Sequence, residues 1–453
     1  MNIIIAGTGE VGFHLSKLLA QESHSIVIID HDKKALEKAS HNLDVSTIKG
    51  DVTSIKTLEI AGAKKADLLI AVTSSQQTNI LSCSIGKKFG VKKCIARISS
   101  SELLHRRDTF DLSSLGIDEV IYPEALGANE IKSLLKESAV TDSLEFDGGL
   151  LHLMGIMIDG ESELKGKTLG ESAYLNPDTN YTPVAIVRDI EQEIHNETII
   201  PRSHNILKEG DIAYFIAEAN KGVDKVLSLA GKENLDIKNI MIFGGSPLAY
   251  MTAKYLSKKY NIKLVCDDIE KCERFADELS NVMVINGSAT NIELMQEEDL
   301  DNMDAFLALS YETEKNILAS LAAKETGVKK TISQVENIDF IPLAQNMGLN
   351  TTINIKYLTA NFIFKYISEG KFLDYSTLKG VDAEIIEVEV KEGAEVLGKK
   401  LKDMNFPKDS IVGGLTRGET ALFPRGDFEF EEEDRVIVVT KKETKSTIES
   451  MFK

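Results

Sequence analysis

Three glycines near the start of the chain have the spacing of a phosphate-binding turn. The stretch "IIIAGTGEVG" (3–12) places Gly7, Gly9 and Gly12 directly after an apolar run that is typical of a β-strand. The first glycine suits a tight turn, the second lets the backbone approach a pyrophosphate, and the third allows close helix–sheet packing. The N-terminus of the following helix attracts the anion. The pattern therefore predicts a nucleotide site.

An acidic residue follows at the expected distance. Asp30 ends the second apolar run, "SIVIID" (25–30), 23 residues after Gly7. Its carboxylate can accept hydrogen bonds from ribose hydroxyls and would repel a 2′-phosphate. The sequence thus favours NAD(H) or an adenine nucleotide over NADP(H).

Four more positions are candidates because they lie near the carboxyl ends of predicted parallel strands, where ligands bind in such folds. Thr73 and Ser74 could bind phosphate or ribose, and Asp51 could reach the adenine side. Arg97 lies in a strand of the buried type and could bind the ligand phosphates. An ion pair with an internal carboxylate remains the alternative for Arg97, and a simple turn acid the alternative for Asp51.

The chain contains an internal duplication. Gly7 and Gly244 are 237 residues apart, and the same offset aligns a series of landmarks over about 95 residues without a gap. The aligned pairs include Asp30 with Asp267, Gly50 with Gly287, Asn79 with Asn316, and "GVKK" at 90–93 with "GVKK" at 327–330. Beyond this region Asn129 matches Asn361, an offset of 232. We refer to the two halves as copy one and copy two.

The glycine turn of copy two has changed. Ser246 replaces the second glycine and Ala249 the third, and Pro247 removes one backbone N–H from the helix start. Gln334 stands where copy one has Arg97, so a positive charge is lost, whereas the acid Asp267 remains. The sequence predicts unequal sites, with tight binding in copy one and weak, different or no binding in copy two.

The elements that must position these residues alternate between strand and helix in both copies. This order predicts Rossmann-like parallel sheets over 1–138 and 233–370. After each of them, β-branched runs alternate with turns, which predicts small mixed α+β domains with antiparallel strands over 139–232 and 371–453. The expected fold class is α/β, as a tandem duplication of a large and a small domain.

Composition restricts the function. The 453 residues carry a net charge of −19, which disfavours nucleic acid as a partner. No run of about 18 apolar residues occurs, so no transmembrane segment is expected, and the N-terminus lacks signal-peptide character.

Four scattered cysteines are expected to be reduced, and the acids at 431–434 are expected to form a solvated edge. No catalytic or metal-binding constellation is evident, so we expect neither an enzyme nor a metal site.

The segments "IIIAGTGEVG", "VIIDHD", "GDVTS", "ADLLIAVTSSQQTNI" and "CIARI" resemble the nucleotide-binding domain of the regulator-of-potassium-conductance (RCK) family. The later "L-x-G-K-x-L" and "PR…EGD" patterns resemble that family's C-terminal ligand domain. The tandem arrangement over 1–453 resembles the cytoplasmic RCK subunits of Trk-type potassium uptake systems.

The resemblance implies a regulatory (gating) subunit that binds NAD(H), with ATP or ADP as further ligands. It would be cytoplasmic, peripheral on the inner face of the membrane, and would form a homo-oligomeric ring, as a dimer or tetramer, on a membrane-embedded potassium-translocating subunit. The implied ligand-binding residues are Gly7, Thr8, Gly9, Glu10, Val11, Gly12, Asp30, Asp51, Thr73, Ser74 and Arg97 in copy one, and Gly244, Gly245, Ser246, Pro247, Leu248, Asp267, Ser310 and Gln334 in copy two.

Two other functions remain open at this point. One is the regulation of another cation transporter or antiporter, which co-purification with a membrane partner would reveal. The other is a soluble NAD-dependent oxidoreductase, which would require an acid/base group facing the glycine turn.

Overall fold

A computed structural model describes the chain except for residues 21, 23, 100–102, 104–110, 189–196, 234, 289–290, 338–339, 350, 369–373, 378–380 and 453. The chain divides into two compact units. The first comprises residues 1–128 and 354–367, and the second comprises residues 129–353 and 368–453. None of the helices described is both long enough and apolar enough to span a membrane.

The first sheet has six parallel strands in the order β3-β2-β1-β4-β5-β6. The strands are β1 (Asn2–Ala6), β2 (Ser25–Asp30), β3 (Ser46–Lys49), β4 (Leu68–Ala71), β5 (Lys93–Arg97) and β6 (Glu119–Ile121). The helices are α1 (Glu10–Leu19), α2 (Lys33–Asn42), α3 (Ile55–Ile60), α4 (Gln76–Phe89) and α5 (Pro123–Lys136). Ile4 and Leu69 lie in its core, because central strands covered on both faces consist of apolar runs.

The second sheet is small and antiparallel, with the strand order β10-β9-β11-β8-β7. Its strands are β7 (Asp142–Phe146), β8 (Leu151–Met157), β9 (Tyr181–Arg188), β10 (Glu197–Ile199) and β11 (Ile212–Glu218). Two helices accompany it, α6 (Leu169–Ser172) and α7 (Lys221–Leu229).

The third sheet repeats the first, with parallel strands in the order β14-β13-β12-β15-β16-β17. Its strands are β12 (Asn239–Phe243), β13 (Asn261–Cys266), β14 (Val282–Asn286), β15 (Ala305–Ala308), β16 (Lys330–Gln334) and β17 (Thr352–Ile353). The helices are α8 (Pro247–Leu256), α9 (Ile269–Glu278), α10 (Ile292–Glu297), α11 (Thr313–Glu325), α12 (Phe340–Asn346) and α13 (Ile355–Ser368).

The fourth sheet is antiparallel in the order β18-β19-β22-β20-β21. Its elements are β18 (Asp374–Thr377), β19 (Glu384–Glu389), β20 (Ser410–Arg417), β21 (Thr420–Leu422), β22 (Arg435–Thr440) and α14 (Lys445–Met451). The predicted fold class, two Rossmann-like sheets each followed by a small mixed domain, is confirmed.

The two small sheets pack against each other in the second unit. Ile216 and Val184 of the second sheet share one apolar core with Ile385 and Val439 of the fourth. A Cβ at Gly413 would lie 2.2 Å from the Cδ1 atom of Ile216, so a larger residue there would require the Ile216 side chain to shift. The sequence did not predict this pairing.

The expectation of a solvated edge at 431–434 agrees with the exposure of Glu431, Glu432 and Glu433 but is wrong for Asp434. Asp434 is fully buried, and Arg417 donates to both of its carboxylate oxygens at 2.7 and 2.8 Å. Copy one has the same arrangement, in which Arg188 donates to both oxygens of buried Asp211 at 2.7 Å. These buried carboxylates are paired by a planar guanidinium, as desolvated charges require.

The structure also corrects the expectation that all cysteines are reduced. Cys266 and Cys272 form a disulfide, with their Cα atoms 6.2 Å apart. The end of β13 and the first half of α9 bring the two residues together, although their spacing matches no redox motif. Cys83 and Cys94 are free and buried, as expected.

Candidate functional site

The turn between β1 and α1 borders a cavity of about 620 Å³ in the first unit. This volume is typical of small-molecule sites. The structure brings ten of the eleven residues predicted for copy one to its wall, namely Gly7, Thr8, Gly9, Glu10, Val11, Asp30, Asp51, Thr73, Ser74 and Arg97. Gly12 does not line the cavity, because it lies where α1 packs on the turn.

Each of the three glycines has a distinct reason to be glycine. Gly7 has a φ of +109°, and a Cβ there would lie 3.1 Å from the Cα atom of Thr73. A Cβ on Gly12 would lie 2.0 Å from the carbonyl oxygen of Gly7. Gly9 differs, since its φ is −59° and no atom lies within 4 Å of the position that a Cβ would occupy. The protein's own packing does not require Gly9, and the open space is what the close approach of a pyrophosphate would need.

The first turn of α1 offers donors for an anion. Gly9 is the N-cap and carries no side chain to accept a hydrogen bond from the helix. The first backbone bond of the helix runs from the Phe13 N–H to the Gly9 carbonyl at 2.8 Å. The N–H groups before Phe13 therefore have no partner within the helix and can bind phosphate oxygens.

Asp30 is held at the end of β2 by two backbone donors. The Thr8 N–H donates to its Oδ2 atom at 2.5 Å, and the Asp32 N–H donates to Oδ1 at 2.9 Å. Partial burial by itself would raise the pKa of the Asp30 carboxyl, but these two N–H groups outweigh burial and lower its pKa overall. The carboxylate is therefore ionised at neutral pH and can accept further hydrogen bonds from ribose hydroxyls.

The ends of β4 and β5 are joined by a buried asparagine. Asn79 Oδ1 accepts from the Thr73 hydroxyl at 2.6 Å and from its N–H at 3.0 Å, and Asn79 Nδ2 donates to the Arg97 carbonyl at 2.9 Å. The Thr73 hydroxyl is thus used by the fold, whereas Ser74 and the Arg97 side chain face the cavity. In the described part of the chain, no carboxylate lies within ion-pairing distance of the Arg97 guanidinium.

The charge of Arg97 also acts on Glu124, at the start of α5. Burial raises the pKa of the Glu124 carboxyl, and the positive charge of Arg97 opposes that rise.

Asp51 lines the cavity, but its Oδ1 atom accepts from the N–H and the hydroxyl of Thr53 at 2.8 and 2.7 Å. It therefore also acts as a turn acid, which was the alternative for this residue.

Ten residues of the cavity wall were missed by the sequence, namely Ile29, His31, Asp32, Ala35, Gly50, Val52, Val72, Ser75, Thr78 and Lys356. All but one are near neighbours in sequence of a predicted residue, and a wider window around each strand end would have included them. Lys356 is the exception, because it belongs to copy two.

The corresponding turn of copy two uses its helix donors internally. Ser246 caps α8, where its Oγ atom accepts from the Ala249 N–H at 3.1 Å and donates to the Leu309 carbonyl at 2.5 Å. Pro247, the first residue of the helix, has no N–H to offer. Gly244 keeps a positive φ of +130°, so the turn itself is preserved. Fewer donors remain for phosphate than in copy one.

The acid and the strand ends of copy two also differ. Asp267 lies 3.8 Å from the Nζ atom of Lys315, which stands in register with Thr78 of copy one. Buried Gln334 donates from Nε2 to Glu336 at 2.5 Å. Ser310 repeats the role of Thr73, because its hydroxyl donates to Asn316 Oδ1 at 2.7 Å.

A separate cluster in the described residues has the composition of a metal site. Ligand atoms of Glu137, Glu145 and His152 lie within 4.8 Å of one another. The His152 Nδ1 atom is 3.3 Å from Glu137 Oε1, and the neighbouring carboxylate raises the pKa of the imidazole despite burial. This distance is that of an ion pair between the two side chains.

Comparison with protein families matches residues 3–123 and 240–355 to the TrkA-N domain and residues 385–453 to the TrkA-C domain. The Trk system potassium uptake protein TrkA homolog of Archaeoglobus fulgidus is 32% identical over 454 residues, covering 100% of both chains. The Trk system potassium uptake protein TrkA of Halomonas elongata is 29% identical over 457 residues, covering 100% of this chain and 98% of the relative.

Solved structures share the fold. The crystal structure of the GsuK RCK domain has a TM-score of 0.59 at 16% identity and covers 100% of this chain and 94% of its own. The GsuK channel bound to NAD has a TM-score of 0.58 at 15% identity, covering 100% and 78%. At this level of identity the likeness establishes the fold alone.

Proposed function

The chain belongs to the TrkA family, and from that premise we propose that it is the nucleotide-sensing regulatory subunit of a Trk-type potassium uptake system. The observation that carries the nucleotide-sensing part is the first turn of α1. Its N-cap is a glycine without a side-chain cap, it faces an open cavity, and Asp30 lies at the end of the adjoining strand.

The proposed ligand is NAD(H), with ATP and ADP as further ligands of the same cavity. The free N–H groups of α1 would bind the pyrophosphate, Asp30 the ribose hydroxyls, and Arg97 the phosphates. The ionised state of Asp30 supports a ligand with a free 2′-hydroxyl over one with a 2′-phosphate. The GsuK channel, which has the same fold, is described as bound to NAD, which agrees with this assignment.

The proposed action is binding without turnover. The protein would dock, as a homo-oligomeric ring on the cytoplasmic face, on a TrkH-like potassium-translocating subunit. Nucleotide would act by binding one conformation of the ring more tightly than another, which shifts the equilibrium between them.

The test combines binding and transport in one pair of variants. Asp30→Ala and Arg97→Gln should each weaken binding of NADH by about tenfold or more, since each removes a charged contact. In cells that contain the membrane partner, potassium uptake should persist with these variants but no longer follow the nucleotide supply. Asp44→Asn, an exposed acid of the same domain outside the cavity, is the matched control.

Two results would contradict the proposal. One is reduction of NAD by the purified protein with a small metabolite as hydride donor, because that would make the chain an oxidoreductase. The other is unchanged regulation of potassium uptake in variants that have lost nucleotide binding. Capture of a different cation transporter in place of the potassium-translocating subunit would assign the regulatory role to that transporter.

A further inference from the structure

Lys356 lines the nucleotide cavity of copy one although it belongs to copy two. It is the second residue of α13, and its Nζ atom lies 2.7 Å from the Oε2 atom of Glu10. Glu10 is the first residue of α1, the helix whose N-terminus faces the cavity. A cation from one half of the chain is thus placed beside the anion-binding turn of the other half.

Packing fixes the position of this lysine. The first turns of α13 are held on copy one by Tyr357, whose ring centroid is 4.8 Å from that of His14. Asn354 Oδ1 accepts from the Tyr357 N–H at 2.8 Å and so orders the start of the helix. Farther along α13, the side chains of Ala360, Ile363 and Phe364 are at most 1% exposed. Lys356 therefore projects from a rigid, buried element, which favours precise placement of its charge.

The sign of the charge at this position differs between the copies. With the offset of 232 residues that aligns Asn129 with Asn361, Lys356 stands in register with Glu124. The corresponding helices α5 and α13 thus carry opposite charges at their second residues, so the shared fold does not require a lysine at this position. The positive charge of Lys356 is instead explained by its surroundings, which are the cavity and Glu10.

Glu10 and Lys356 place one negative and one positive charge side by side on the cavity wall. A carboxylate at the first position of α1 repels an anion that has no cation beside it. A nucleoside diphosphate can be bound by the free N–H groups of α1, and the pyrophosphate of NAD continues into an uncharged ribose. Only a nucleoside triphosphate extends a further charged phosphate beyond the pyrophosphate position.

We propose that Lys356 binds the terminal phosphate of a nucleoside triphosphate. In doing so the lysine leaves its ion pair with Glu10 and pairs with the phosphate instead. The phosphate offers more negative charge and more acceptor atoms than the carboxylate, and a lysine ammonium is a compact partner for it. Because α13 belongs to copy two, the exchange links the number of phosphates in the copy-one site to the second half of the chain. This inference rests on the proposed nucleotide site.

The experiment is calorimetric titration of the full-length protein with ATP, ADP and NADH. Lys356→Gln should weaken ATP binding by about tenfold, because a charged hydrogen bond is lost, and should change binding of ADP and NADH by less than about twofold. Lys356→Arg should retain the preference for ATP. Glu10→Gln should strengthen ATP binding, because the competing carboxylate is removed. Lys17→Gln, an exposed lysine of α1 outside the cavity, is the control.

The outcomes separate this inference from the proposed function. Equal weakening of all three ligands by Lys356→Gln would mean that the lysine only positions the helix, and unchanged ATP binding would mean that it does not contact the ligand. Either result overturns the inference and leaves nucleotide sensing in place. If the wild-type protein binds none of the three ligands, the proposed function fails, and this inference fails with it.

Discussion

Gly9 is the residue that most directly separates a ligand-binding turn from a structural one. Gly7 and Gly12 are required by backbone conformation and by helix packing, as their φ angle and close contacts show. Gly9 has an ordinary φ and open space around its missing side chain. A glycine that the fold does not need, at the mouth of a cavity, is best explained by the ligand.

Gly9→Ala should therefore impair binding and spare the fold. We expect NADH affinity to fall by about tenfold or more, because the Cβ occupies the space of the pyrophosphate. The thermal unfolding midpoint without ligand should stay within about 2 °C of wild type. Gly7→Ala is the control, and it should lower the midpoint clearly because of its positive φ. Unchanged NADH affinity in Gly9→Ala would rule out close approach of a phosphate at this residue.

The same element has different chemistry in the two copies. Helices α1 and α8 each follow the central strand of a parallel sheet and begin at a glycine turn. In α1 the cap is Gly9 and the first donors are free, whereas in α8 Ser246 and Pro247 take two of the donor positions away. A helix that caps itself with a side chain is more stable alone and less able to bind an anion.

We therefore expect one strong nucleotide site per chain. Titration of the full-length protein with NADH should give a stoichiometry close to one tight site, and Asp267→Ala should leave that site unchanged. Ser246→Gly should increase weak binding at copy two at some cost in stability, about 1 kcal/mol or less for loss of the cap. Two equal tight sites, one of them abolished by Asp267→Ala, would refute this prediction.

At the scale of the whole molecule, the two copies are interwoven. The small sheets share one apolar core, and α13 of copy two packs on the nucleotide-binding domain of copy one. In the second unit, the first residue of β16, Lys330, donates from Nζ to the Val140 carbonyl at 2.8 Å and to the Thr351 hydroxyl at 3.2 Å. Lys330 is buried, and burial lowers its pKa to about 8.

This buried lysine should make stability depend on alkaline pH. Its folded pKa lies below the unfolded value of about 10.4, so protonation favours the unfolded chain, and stability rises as pH increases through this window. Lys330→Met removes the titration. The difference in unfolding free energy, variant minus wild type, should be largest at pH 7 and fall by about 3 kcal/mol on approaching pH 10.5.

Urea unfolding at pH 7, 8.5 and 10 measures this difference. Lys329→Met, at the exposed neighbouring position, is the matched control and should show no such trend. A difference that stays constant with pH would mean that Lys330 does not titrate in this range in the folded protein.

The duplication, the two parallel and two small antiparallel sheets, and the glycine turn with its acid could all be predicted from the sequence. These features follow from local patterns, since apolar periodicity sets strands and helices, and a turn of fixed spacing sets the first contacts of a phosphate. The domain boundaries at 138, 232 and 370 stay a prediction, as do the ligand contacts of the predicted site residues. The buried state of Asp434 escaped prediction because its partner Arg417 is distant in sequence and reaches it only in the folded sheet.

Which side chains meet across packed elements is evident only in the folded chain. Lys356 enters the site of Gly9 from the other copy, Cys266 bonds to Cys272 across a strand–helix corner, and Gly413 admits the close contact of two small sheets. The physical reason is common to all three. A side chain's neighbours depend on the packing of whole elements, and a single sequence records periodicity along the chain but not the partner of each face.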